Sequence, residues 1–265
     1  MRRSRVVALA FLALAGCTSS PKAPEAAVSD LAPSGRLRAA INLGNPVLAS
    51  RDASGQPQGV SVELARELAA RLGVPVELIA FDAAGKVVEA GKSGGWDIAF
   101  VALDPARAAE IAQSTPYVVI EGAYLVREDS PIRANAEVDR PGNRIVVGRG
   151  SAYDLYLTRN IKQAQIVRTQ TSAAVVDFFV KEKLEVAAGV KQQLEADAKR
   201  VAGVRILPGR FMVINQAMAS QKGKSAGAQY VRAFVEEMKA AGFVASALER
   251  HRIQGAAVAP AGDAQ

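Results

Sequence analysis

The chain has 265 residues, is 49% hydrophobic and carries a formal charge of +7. That length can build one large domain or two lobes with a sizeable core. There is a single histidine, and the single cysteine, Cys17, precedes the part that reads as folded; with no thiol in the fold, a His/Cys metal site and a Cys/His nucleophile are excluded within one chain. There is no P-loop signature either, so any ATPase must be a separate partner.

The opening segment "MRRSRVVALAFLALAGC" has three arginines, a short apolar run, and small residues before Cys17. The run is too short for a comfortable membrane span and has the layout of a secretion signal. Its end, Leu14-Ala15-Gly16-Cys17, resembles a bacterial lipoprotein signal. That resemblance implies a signal peptide over residues 1–16, with Cys17 lipidated as the new N-terminus and membrane anchor. Removing it takes three arginines and no acid, so the formal charge falls from +7 to +4. A basic chain first suggests nucleic acid. Export argues against that partner, as does the lack of any Lys/Arg run interleaved with aromatics. No disulfide is possible within the mature chain, so burial alone must stabilise it.

Residues 17–34, "CTSSPKAPEAAVSDLAPS", are rich in Ser, Pro and Ala and read as a flexible tether. "RLRAAINL" then reads as a strand. "VSVELARELAARLG" places Leu64, Leu68 and Leu72 on one helix face, with Gly73 as its stop. "VPVELIAF" is a strand and "GKVVEAGKSG" a helix. "WDIAFVAL" is a strand and "PARAAEIA" a helix, with Asp104 as N-cap and Pro105 at its first position. "YVVIEGAYLV" is a long apolar strand.

The pattern then restarts with strand "NRIVVG", helix "SAYDLYLTRN", strand "QIVRT", helix "TSAAVVDFFVKEK", strand "EVAAGV", helix "KQQLEADAKR" and strand "VRIL". A second long strand, "FMVINQAMA", precedes helices "AGAQYVRAFVEEMKAAG" and "VASALERH". Residues 255–265 read as a flexible tail. Alternation of strand and helix implies parallel sheets with helices on their faces. The fold class is therefore α/β: two lobes joined by a two-strand hinge. Residues 35–122 and 217–254 form lobe 1, and 123–216 form lobe 2. Trp96, Phe178 and Phe179 read as core. The lone histidine, His251, suits the end of the last helix.

"GQPQGVSVELARELAARLGVPVELIAFD", Trp96-Asp97-Ile98 followed by Asp-Pro-Ala-Arg, "STPYVVIEGAYLV" and "VGRGSAYDLYL" together resemble the extracellular solute-binding proteins of ABC importers, of the polar amino-acid type. The resemblance covers nearly all of the mature chain. It implies a two-lobed periplasmic-binding-protein fold, a small carboxylate-bearing solute held between the lobes, and ABC permease subunits as partners. The protein is then expected to be periplasmic, lipid-anchored and monomeric. No catalytic residue, cofactor or metal is expected.

In such receptors the ligand lies at the C-terminal ends of the strands, as in open α/β sheets generally. Arg107 occupies the position of the carboxylate-binding arginine. By position alone it is a cation in the first turn of a helix, where the dipole favours an anion. A bound carboxylate resolves that conflict, and so does a solvated side chain. "GRGSAYD" brings Ser151 and Ala152 to a helix N-terminus whose free N–H groups can hold an anion. Thr171 opens a similar turn. Asn42, Asn45 and Lys86 sit in segments expected to face the cleft.

Several positions depart from the family pattern. A hydroxyl is usual where Ala102 stands, and a threonine or serine where Asp104 stands. Aromatic residues are expected near Gly44 and Ala84. The acid that pairs with a ligand's ammonium is expected near Val190, yet the next residue is Lys191. Asp104 could supply that charge instead. Two alternatives stay open: a dehydratase on the same fold, with Glu121 or Asp104 as general acid or base, and a sensor lipoprotein without a transport role.

Overall fold

The computed structural model describes residues 22–262. The signal segment and Cys17 lie outside the described residues. In chain order the first half comprises α1 (Glu25–Leu31), β1 (Leu37–Asn42), a small hairpin of β2 (Ser50–Arg51) and β3 (Pro57–Gln58), α2 (Val60–Leu72), β4 (Val76–Phe81), α3 (Ala84–Lys92), β5 (Ile98–Ala102), α4 (Pro105–Ala108) and β6 (Ile111–Arg127). The second half comprises β7 (Arg144–Gly148), α5 (Ala152–Asn160), β8 (Gln165–Thr169), α6 (Val175–Lys181), β9 (Val186–Val190), α7 (Lys191–Arg200), β10 (Val204–Ile206), β11 (Met212–Gln221), α8 (Ser225–Ala240), α9 (Phe243–Arg250) and β12 (Ala257–Val258).

The main sheet runs β4-β1-β5-β11-β6-β9-β7-β8. At one end β1 lies parallel to β4 and β5. At the other, β7 lies parallel to β8 and β9. The antiparallel strands β6 and β11 join these two parallel blocks. This is the two-lobed α/β arrangement, with the lobes continuous through the long strands. β6 pairs with β12 at Val118 and Val119, then turns to β9 from Gly122 onward. The register between β6 and β11 slips between Gln216 and Ala219, at the junction of the lobes. Such a bulge bends a strand locally.

Local sequence accounts for most elements. Leu64, Leu68 and Leu72 of α2 are buried, and Gly73 closes the helix in the left-handed conformation. Trp96 is fully buried and donates its indole N–H to the Val87 carbonyl at 2.7 Å. Asp97 is buried at the start of β5. It accepts the Arg38 backbone N–H and both arms of the Arg38 guanidinium, at 2.7–3.1 Å. That carboxylate holds the Arg38 guanidinium above its usual pKa.

Three expectations are corrected. The segment read as a tether contains α1, whose Ala27 and Leu31 are buried. The Asp30 carboxylate accepts the Gly227 N–H of α8 at 3.0 Å. Residues 255–262 of the tail are ordered as well. β12 extends the sheet beside β6, Ala259 is buried, and the Pro260 carbonyl accepts Lys239 Nζ at 2.8 Å. Both segments look unstructured locally because their partners lie far away in sequence. Lastly, "PARAAEIA" is helical only over Pro105–Ala108. From Ile111 the chain pairs with β11. Sheet pairing overrides the helix propensity of an alanine-rich stretch.

Candidate functional site

A cavity of about 30 Å³ lies between the two blocks. Its wall comes from the C-terminal ends of parallel strands and the helices that follow. Asn42, Gly44, Asn45, Ala84, Ala102 and Arg107 face it from one lobe. Ser151, Ala152, Tyr153, Ser172 and Val190 face it from the other, with Ile214 and Gln216 from the hinge strand β11. A water needs about 10–15 Å³ of such space, so this closed form has room for only a molecule or two of that size. Anything larger must part the lobes to enter.

The lobes meet directly. Gly150 has φ +68°, and a Cβ there would stand 2.8 Å from Gly85 Cα. Only glycine combines that backbone angle with that approach. Asp104 reaches across to Arg159 of α5, its two oxygens at 3.1 and 2.7 Å from the guanidinium. Arg107 Nη2 donates to the Gly150 carbonyl at 2.8 Å. Gln192 of α7 donates to the Gln254 carbonyl at 3.1 Å.

Arg107 is neither solvated nor ion-paired. It is 2% exposed. Its Nη1 donates to the Ala102 carbonyl at 2.9 Å. Its Nε has no hydrogen-bond partner among the described residues. Burial pulls the guanidinium down to about 10, against the attraction of Asp104. A desolvated cation held only by carbonyl oxygens is incompletely compensated. Asn45 is 6% exposed, and both ends of its amide lack a partner. Buried polar groups are normally satisfied. The orphaned groups on Arg107 and Asn45 both belong to residues that wall this cavity.

α5 contributes its N-terminus. Ser151 caps it by accepting the Asp154 N–H at 3.0 Å, and Asp154 accepts the Gly150 N–H at 2.8 Å. The first-turn N–H groups of Ala152 and Tyr153 have no acceptor within the helix. Tyr153 donates its hydroxyl to Ser172 Oγ at 2.6 Å, and burial raises its pKa.

The structure brings Asn42, Asn45, Ala102, Arg107, Ser151 and Ala152 to one cavity. Three sequence candidates lie elsewhere. Lys86 is half-exposed and pairs with Asp82 at 2.8 Å, four residues back on the same turn. Thr171 stays outside the cavity wall, and its neighbour Ser172 takes that place. Asp104 is buried but spent: it caps α4 through the Ala106 N–H at 2.9 Å and binds Arg159. Glu121 is likewise engaged, by Arg210 at 2.7 Å and Lys191 at 3.1 Å, which hold it below the usual carboxylate range.

Sequence reading missed Gln216, Tyr153 and Arg159. Gln216 had a signal, being an amide inside the apolar run "FMVINQAMA". Arg159 had none, because a cation in the last turn of a helix is ordinary. A larger groove of about 700 Å³ lies between α7 and residues 252–255. It is an open, charged surface where Glu121 and Lys191 pair with each other. The smaller cavity is the better candidate because its wall carries a buried guanidinium and an amide unpartnered at both ends, against the single unpartnered Oε1 of Gln192 at the groove.

The site is a small enclosed space between the two lobes, walled by one buried cation and neutral polar groups. A family model for bacterial extracellular solute-binding proteins, family 3, matches residues 37–252. The chain belongs to that family. Solved structures agree on the fold. The solute receptor for L-cysteine of Neisseria gonorrhoeae superposes with a TM-score of 0.75 at 24% identity, covering 86% of this chain and 95% of that one. A mutant of ArgBP from T. maritima gives 0.73 at 18% identity, covering 84% and 98%. An ancestral amino acid-binding protein, a precursor of cyclohexadienyl dehydratase, gives 0.71 at 21% identity, covering 84% and 97%. A search of curated protein sequences finds no match. Among the described residues no helix is long and apolar enough to cross a membrane.

Proposed function

We propose that this chain is a lipid-anchored, monomeric receptor that captures a small carboxylate-bearing solute between its lobes for an ABC permease. The observation that carries the reading is Arg107: a buried guanidinium with an orphaned Nε, on the wall of a cavity between the lobes. A carboxylate from the ligand would supply the missing counter-charge. The N–H groups at the start of α5 would share it from the other side. Amino acids bound by structural neighbours carry the same group, which supports the reading. The lobes would part by bending at Gly122 of β6 and near Gln216 of β11, where the strand pairing changes. Anchoring would be through Cys17, which lies outside the described residues. A dehydratase is disfavoured, because its candidate acids Asp104 and Glu121 are both held in ion pairs.

Native mass spectrometry of the purified chain tests this reading. A carboxylic acid should co-purify with the wild type and be lost from Arg107→Ala. A retained ligand, or one without a carboxylate, overturns it. Palmitate labelling of wild type against Cys17→Ser tests the anchor, and equal labelling rejects it.

A further inference from the structure

Among the described residues that wall the cavity, Arg107 is the only charged side chain. No carboxylate lines the cavity, and three on the elements around it are held in ion pairs. Asp104 is bound by Arg159, Asp154 by Arg168 at 2.9 Å, and Glu121 by Lys191 and Arg210. α3 and α5 begin at Ala84 and Ala152, both on the wall. Each brings the positive end of a helix dipole. Every fixed charge and helix end facing the ligand space is thus positive.

A ligand carboxylate neutralises Arg107 and leaves the closed cavity uncharged. A ligand ammonium adds one positive charge with no carboxylate to receive it. In a desolvated space that charge faces a cation and two positive helix ends, which is strongly unfavourable. The remaining wall groups are neutral. The Asn45 amide offers an unpartnered donor and an unpartnered acceptor, and Gln216 offers a second amide. A hydroxyl or a carbonyl suits these groups without adding charge. The close approach of Gly150 to Gly85 leaves little depth between the lobes, which favours a short molecule.

Resting on the carboxylate reading above, we infer that the ligand is a short carboxylic acid without an ammonium group, a hydroxy or keto acid rather than an amino acid. Asn45 and Gln216 receive its neutral oxygen, and Arg107 receives its carboxylate.

Matched pairs of probes test this. Lactate and pyruvate share the carbon frame of alanine, glycolate that of glycine, and glycerate that of serine. Calorimetry on the full chain should show the hydroxy or keto acid binding about tenfold or more tighter than its amino-acid twin. An amino acid that binds as tightly as its twin, or tighter, overturns the inference. If Arg107→Ala then abolishes binding of that amino acid, the carboxylate reading survives and only this inference falls. If no acid of the set binds, this inference falls, and the identity of the co-purified ligand decides the carboxylate reading. Asn45→Asp places a carboxylate on the wall with almost no change of shape. It should shift the preference about tenfold or more toward the amino acid, and an unchanged preference in a folded variant overturns the charge account.

Discussion

Asp104 and Arg159 form a two-pronged ion pair across the cleft, with oxygen-to-nitrogen distances of 3.1 and 2.7 Å. Asp104 caps the turn that carries Arg107, and Arg159 lies in the last turn of α5. The pair therefore ties the two sides of the cavity together, independently of any ligand. The Asp104 side chain is 4% exposed and that of Arg159 is 43% exposed. The solvated side of the pair limits its worth to about 1 kcal/mol.

Arg159→Ala should shift the ligand-free protein toward the open form by roughly fivefold. Asp104→Asn should do nearly the same while keeping the helix cap, because asparagine caps as well as aspartate. Small-angle scattering reads the change as a larger radius of gyration without ligand. An unchanged radius in both variants would show that the pair does not hold the lobes closed.

Much of the site was legible because it follows from strand ends. β1, β5, β7 and β9 are apolar runs, and the residues just beyond them must face the cleft of a parallel sheet. That places Asn45, Arg107 and Ser151. What the side chains do there was not legible. Asp104 looks like a cap and is one, but its second role needs Arg159, 55 residues away. Lys86 looks like a cleft residue, yet its nearest partner is Asp82 on its own turn. α1 and β12 look loose in sequence because their alanines and prolines show no period. Only α8 and β6, distant in sequence, supply the surfaces that order them.

Leu31 gives a direct test of α1. It is fully buried. Leu31→Ala should destabilise the protein by about 2–5 kcal/mol through lost burial and a residual cavity. Chemical denaturation measures this, with the slope expected to stay the same. A flexible tether would give no change in midpoint.

Gly91 sets two effects against each other. It lies within α3, where alanine is favoured over glycine by about 1 kcal/mol. A Cβ at Gly91, however, would lie 2.6 Å from a ring carbon of Trp96. Trp96 is fully buried and tethered through its indole N–H. Overpacking of this kind costs about 1–3 kcal/mol, so Gly91→Ala should be neutral to destabilising by about 2 kcal/mol. A rise in denaturation midpoint would mean that the ring moves aside at little cost.

Arg107 predicts a pH dependence of both stability and binding. Its pKa in the folded chain is about 10, below its ordinary value, because burial desolvates it and Asp104 offsets this only in part. Between these two values the unfolded chain holds the proton that the folded chain has lost. Stability therefore rises with pH through that window, and the penalty is fully present below about pH 10. Its size is on the order of 3 kcal/mol. Arg107→Met removes the buried cation and keeps most of the apolar stem. Its ligand-free form should melt at least as high as the wild type at neutral pH while binding no carboxylate. In the wild type a bound carboxylate supplies the counter-ion and raises the pKa of Arg107. Affinity for an acid such as lactate should thus be flat at lower pH and fall about tenfold per unit above about pH 10. Arg107→Lys should bind more weakly, since an ammonium lacks the guanidinium fork. Its decline should also begin at lower pH, because burial lowers a smaller starting pKa. Calorimetry across the alkaline range reads both curves. Affinity that stays flat well above pH 10 in both proteins would show that Arg107 does not carry the ligand's charge.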